Sequence, residues 1–92
     1  MRESVIEAYL VKRVKEAGGT AYKFVSPGRR GVPDRMVVFP GGRVFFVELK
    51  APNGRLRSAQ ARARTALESQ GCVVEVIRRK DQVDDFIEGA TA

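Results

Sequence analysis

Pro40-Gly41-Gly42 interrupts an otherwise apolar stretch. It leaves Asp34–Phe39 on one side and Arg43–Lys50 on the other. Both runs are rich in Val and Phe, which suit a pleated, partly buried surface. A Pro-Gly-Gly triplet is a turn signal, so the two runs are expected to pair as an antiparallel hairpin. Side chains alternate along a strand. In RVFFVELK, Val44, Phe46, Glu48 and Lys50 therefore share one face, and Phe45, Val47 and Leu49 take the other. A short hairpin sets the start of one strand beside the end of its partner. Asp34, Glu48 and Lys50 then converge at one end of the sheet.

The remaining elements fit around this hairpin. Glu3–Ala17 lacks Gly and Pro and stops at Gly18-Gly19, which predicts a helix. At ~100° per residue, Ile6, Leu10, Val11, Val14 and Ala17 fall on one arc. Glu7 falls inside that apolar arc. A carboxylate there needs a partner. It is either an acid near a metal or a first-turn acid that favours the helix dipole and reaches water. Thr20–Val25 is a short strand, and Ser26–Pro33 is a loop. Ala51–Arg57 is a basic loop, and Ser58 is placed to N-cap a helix running to Gln70. Cys72–Ile77 is an apolar strand, and Asp81–Glu88 a short acidic helix. The expectation is one α/β domain over residues 1–92, a mixed sheet flanked by helices in the order α-β-β-β-α-β-α. Ninety-two residues suffice for one domain and not for two.

Composition removes whole classes of chemistry. No histidine is present, which excludes a Ser-His-Asp triad and imidazole-bound zinc. The single cysteine, Cys72, rules out an internal disulfide and a multi-cysteine metal site. No run is long and apolar enough to span a membrane, and Arg2, Glu3 and Glu7 interrupt any signal-peptide core. A cytoplasmic location is the expectation. The net charge of +6 favours a polyanionic partner, although a basic surface also serves solubility.

What remains is carboxylate, lysine, arginine and a hard metal. Asp34, Glu48 and the peptide carbonyl of Leu49 offer oxygen donors suited to Mg²⁺ or Mn²⁺. Lys50 would hold or deprotonate an attacking water, or stabilise charge on a phosphate. The competing reading is a Glu48–Lys50 ion pair at a strand end, with Asp34 closing a turn. Gln60 falls on the inner side of its helix beside Ala63 and Leu67. It would hydrogen-bond a catalytic carboxylate or water, or satisfy backbone at the helix start. Arg29, Arg30, Arg35, Arg55 and Arg57 border the hairpin end, and Arg62 and Arg64 lie on the following helix. They are read as phosphate contacts, with a solvated basic surface as the alternative.

GVPDRMVV (31–38) followed by FVELKAPNGRLRSAQ (46–60) resembles the PD-(D/E)xK nuclease superfamily, and within it the stand-alone VRR-NUC domain of phages and bacteria. The resemblance implies a restriction-endonuclease-like fold. It implies Asp34 and Glu48 as metal ligands, Lys50 as the catalytic lysine, Glu7 as the first-helix acid and Gln60 as the glutamine of the following helix. It further implies Mg²⁺- or Mn²⁺-dependent cleavage of DNA, with four-way (Holliday) junctions as substrate and a homodimer as the active unit. A bacterial-host or phage-encoded setting goes with it. Relatives often carry an acid in the loop after E-x-K, where this chain has Asn53-Gly54-Arg55. Two rivals stand beside this reading: a non-catalytic DNA-binding module, and a nickase or flap nuclease of the same fold.

Overall fold

The computed structural model describes residues 1–92. Its elements are α1 (Glu3–Glu16), β1 (Thr20–Lys23), β2 (Arg35–Phe39), β3 (Arg43–Leu49), α2 (Ser58–Ser69), β4 (Val74–Ile77) and α3 (Lys80–Ala90). The expected order and the mixed sheet are both present. The four strands lie in the order β1-β2-β3-β4. The first two pairings are antiparallel, and β3–β4 is parallel. The expected antiparallel hairpin is present, with Arg35 opposite Val47 and Phe39 opposite Arg43. A parallel neighbour requires a crossover, and α2 supplies it between β3 and β4.

Alternation along β3 divides the molecule into two faces. Val47 and Leu49 join Val37, Phe39 and Ile77 in a core completed by Ile6, Leu10 and Val14 of α1 and Val83, Phe86, Ile87 and Ala90 of α3. Phe39, Phe45 and Phe86 meet there, with Phe45 and Phe86 edge to face at 5.4 Å. Tyr9, Arg13 and Asp84 form a polar bridge between α1 and α3. The opposite face carries Phe24, Phe46, Val74 and Glu48, with α2 above it. That helix adds nothing to the main core and has no fully buried residue. Toward β1 the same face is uncovered, leaving Tyr22 52% and Val44 42% exposed.

Several boundaries differ from expectation, each for a local reason. β1 ends at Lys23 rather than Val25, because the chain turns at Ser26-Pro27 with Arg29 N–H donating to the Ser26 carbonyl. Asp34 and Lys50 lie just outside the ladder. β4 begins at Val74, two residues later than expected, because Cys72 is still engaged in closing α2. Gly71 has φ +89° and donates to the Glu68 carbonyl while Cys72 donates to that of Leu67, a Schellman stop. The N-cap of α2 is Arg57, not Ser58, and no hydroxyl caps the helix. α3 extends beyond Asp81–Glu88 at both ends, burying Ala90 in the core.

Candidate active site

The site forms where β2 begins and β3 ends. Pro33 is buried and Asp34 follows it. The Asp34 carbonyl accepts from Phe24 N–H at 2.9 Å, and its Oδ2 accepts from Leu49 N–H at 2.8 Å. A side chain thus continues the hairpin ladder one residue beyond β2, which fixes the carboxylate beside Glu48. Across the parallel pair, Lys50 N–H donates to the Ile77 carbonyl at 3.0 Å. Backbone hydrogen bonds therefore hold the whole E-L-K segment in place.

Gly31 explains the spacing before Asp34. Its φ is +80°, and a Cβ there would lie 2.4 Å from the Ala59 carbonyl group and 2.7 Å from Gln60 N. Only glycine lets this loop lie against the first turn of α2. The result is a small cavity lined by Gly31, Pro33, Glu48, Leu56, Gln60 and Arg64 among others. Gln60 Oε1 accepts from Arg57 N–H at 2.8 Å, so it caps α2. Gln60 is also one of the residues lining the cavity. Of the two readings of Gln60, the structure shows the one in which it satisfies backbone at the helix start; it makes no hydrogen bond to Glu48, although both line the cavity.

Glu48 is the unusual group. It is 3% exposed, and neither carboxylate oxygen has a hydrogen-bond partner. Burial, followed by the neighbouring Asp34 carboxyl, pushes its pKa up to about 8, and the Lys50 charge only partly opposes this. No ion pair includes Glu48 or Lys50, so the strand-end salt bridge is absent. A buried carboxyl without a partner is costly unless something completes it. The orphaned oxygens of Glu48 and the adjacent Asp34 carboxylate are all-oxygen donors of the kind a hard divalent cation takes.

The other predicted residues separate into groups. Glu7 is not part of the acidic cluster, and no group of three metal-ligating side chains exists. Its Oε2 instead accepts from Arg35 Nε at 2.8 Å, which supplies the partner its place on α1 requires. Arg35 also donates to the Ala21 carbonyl at 3.0 Å. Strand alternation turns Arg35 away from Asp34, onto the α1 side of the sheet. Where Glu7 was expected beside a metal and Arg35 on phosphate, the structure pairs them with each other, and together they hold α1 to β1 and β2. Arg29, Arg30, Arg55, Arg57 and Arg62 are exposed. Arg64 lines the cavity and pairs with Glu68 at 3.4 Å.

Two contributors escaped the sequence reading. Leu56 walls the cavity from within the basic loop. Arg78 directly follows β4 and reaches back to that loop, its Nε donating to the Gly54 carbonyl at 3.2 Å. The signal for Arg78 was its place at the carboxyl end of a strand parallel to β3, where sheet ligands tend to gather.

A mixed sheet whose hairpin ends in Asp34 and Glu48-x-Lys50, under a crossover helix bearing Gln60, defines a nuclease domain of the PD-(D/E)xK type. The chain belongs to the VRR-NUC domain family, whose model matches residues 3–81. It is 49% identical over 81 residues to "Putative nuclease p44" of Acyrthosiphon pisum secondary endosymbiont phage 1, covering 88% of this chain and 87% of that protein. It is also similar to a solved VRR-NUC domain structure, with a TM-score of 0.87 and 33% identity over 94% of each chain.

Proposed function

We infer that this nuclease domain is a metal-dependent DNA endonuclease, selective for branched DNA such as four-way junctions and active as a homodimer. The observation that carries the metal dependence is Glu48: a buried carboxyl with two orphaned oxygens, set beside Asp34. Asp34, Glu48 and the Leu49 carbonyl would hold Mg²⁺ or Mn²⁺. When bound, such an ion neutralises charge on the scissile phosphate and acidifies a water. Lys50, on the Glu48 side of the strand, donates to the attacking water or to the developing phosphate charge. Gln60, which lines the same cavity as Glu48, would orient that water.

Exposed Arg29 and Arg30 lie on one loop beside the site, and Arg55 and Arg57 on another. Their planar forks suit phosphate oxygens, which would favour backbone shape over base sequence. Two further features support the branched substrate and the dimer. A twofold dimer matches paired cuts on a symmetric junction. The uncovered side chains of Tyr22 and Val44 give apolar surface on the same face of the sheet as Glu48, on which a second copy would pack. No helix is long and apolar enough to cross a membrane.

The test is cleavage of a labelled synthetic four-way junction beside linear duplex and a flap, with Mg²⁺, Mn²⁺ or chelator. Paired, symmetric, metal-dependent cuts confined to the junction are expected. Cleavage mainly of the flap or duplex would retain the nuclease and discard the junction selectivity. DNA binding without cleavage of any substrate would leave only a binding module.

A further inference from the structure

The loop between β3 and α2, residues 51–57, carries Arg55 and Arg57 on either side of Leu56. The two arginines are exposed, while Leu56 is half-buried against the Glu48 cavity. The loop begins with a tight turn in which Gly54 N–H donates to the Ala51 carbonyl at 2.8 Å, with Pro52 at its second position. The turn fixes the first residues relative to Lys50. At the other end, Gln60 fixes Arg57 to α2. Between these ends, one hydrogen bond ties the loop to the residue after β4: Arg78 Nε to the Gly54 carbonyl.

Arg78 is well placed for this. It follows Ile77, whose carbonyl accepts from Lys50 N–H, so it stands next to the end of β3. Its own N–H donates to Gln82 Oε1 of α3 at 2.7 Å, which anchors its backbone. Arg35, Arg64 and Arg79 each pair with an acid. No acid pairs with Arg78, whose guanidinium is directed to a loop carbonyl instead.

We propose that Arg78 is a positioning residue for DNA binding: it braces the 51–57 loop so that Arg55 and Arg57 meet the DNA backbone in one fixed arrangement. The inference rests on the DNA-binding reading above. A preset loop gives up less freedom on binding than a mobile one, so the brace raises affinity without touching the ligand. The hydrogen bond uses Nε alone. Gln carries Nε2 on Cδ, as Arg carries Nε, so Arg78→Gln keeps a donor at that position without the charge. Arg78→Met keeps most of the apolar stem and removes the donor.

The experiment measures the dissociation constant for a labelled four-way junction, in chelator, by fluorescence anisotropy. Wild type, Arg78→Gln and Arg78→Met are compared, each also combined with Arg55→Ala/Arg57→Ala. Arg78→Met is expected to weaken binding up to about tenfold, the scale of one lost hydrogen bond, and Arg78→Gln less than about twofold. In the background lacking both loop arginines, Arg78→Met is expected to change binding less than about twofold, because the brace has nothing left to position. Equal losses for Gln and Met would overturn the proposal and make Arg78 a direct phosphate contact. An undiminished loss in the Arg55→Ala/Arg57→Ala background, or no loss for Met at all, would also overturn it. Absence of cleavage by wild type in any metal would defeat the nuclease reading and still leave this binding comparison decisive for Arg78.

Discussion

The two faces of the sheet are built to different ends. On the α1–α3 side, Ile6, Leu10, Val14, Val37 and Val47 are fully enclosed, and aromatic rings interlock. On the α2 side the helix buries no residue fully, the deepest polar group is an orphaned carboxyl, and Tyr22 and Val44 face outward. In a domain this small, stability is concentrated where packing is close. The other face is then free to hold groups that packing alone would reject. Glu48 is tolerable at its site because the strand beneath it is anchored from the opposite side by Val47 and Leu49.

This contrast can be broken in order of effect. Asp34→Asn should lower metal-dependent cleavage about a thousandfold or more, since several kcal/mol of transition-state stabilisation depend on the held ion. Its melting temperature should stay near that of wild type. Near-native turnover would remove Asp34 from the metal site. On the opposite face, Leu10→Ala should cost about 2–5 kcal/mol in chemical unfolding and leave the turnover of folded protein unchanged. If Leu10→Ala instead cost less than Asp34→Asn, the division of labour between the faces would fail. Gly31→Ala joins the two effects. Strain at positive φ and the clash with Ala59 should cost about 1–3 kcal/mol, with cleavage falling as the loop bearing Asp34 moves off α2.

A smaller effect follows from the charge on Glu48. Its carboxyl is pushed from 4.5 to about 8 in the folded chain, so the folded state holds a proton that the unfolded state releases. That contribution is complete below about pH 4.5 and is lost as pH rises through about 8. In chelator, Glu48→Gln should therefore melt several degrees above wild type at pH 8, and the gap should close toward pH 4.5. Melting curves across that range check it, and a gap independent of pH would contradict the cause assigned. Smallest of all, Tyr22→Ser should change monomer unfolding by no more than about 0.5 kcal/mol while weakening self-association measured by ultracentrifugation. An unaltered dimer would move the interface elsewhere.

Much of this was legible in the sequence because hairpin geometry is local. The Pro-Gly-Gly turn sets the register, alternation sets the faces, and both place Asp34 beside Glu48 without distant information. Glu7 illustrates the opposite case. Its position on the wheel showed that it needed a partner, but not whether that partner would be a cation or a metal; the answer lay on β2, 28 residues away. Arg35 points to the α1 side because adjacency to Asp34 in sequence means opposite faces on a strand. Arg78 and Leu56 act only through a parallel pairing and a loop that folds over the site, and neither is written in a local pattern. Ser58 had the right residue type for an N-cap, but Arg57 holds that position and Gln60, three residues on, accepts from its N–H.

In the proposed site a divalent cation completes the pair of half-buried Asp34 and buried Glu48. Calorimetric titration of Mn²⁺ and of Mg²⁺ into wild type, Asp34→Asn and Glu48→Gln tests it most directly. One saturable site in wild type, lost or greatly weakened in both variants, is the predicted result. Undiminished binding in both variants, or none in a folded wild type, would contradict it.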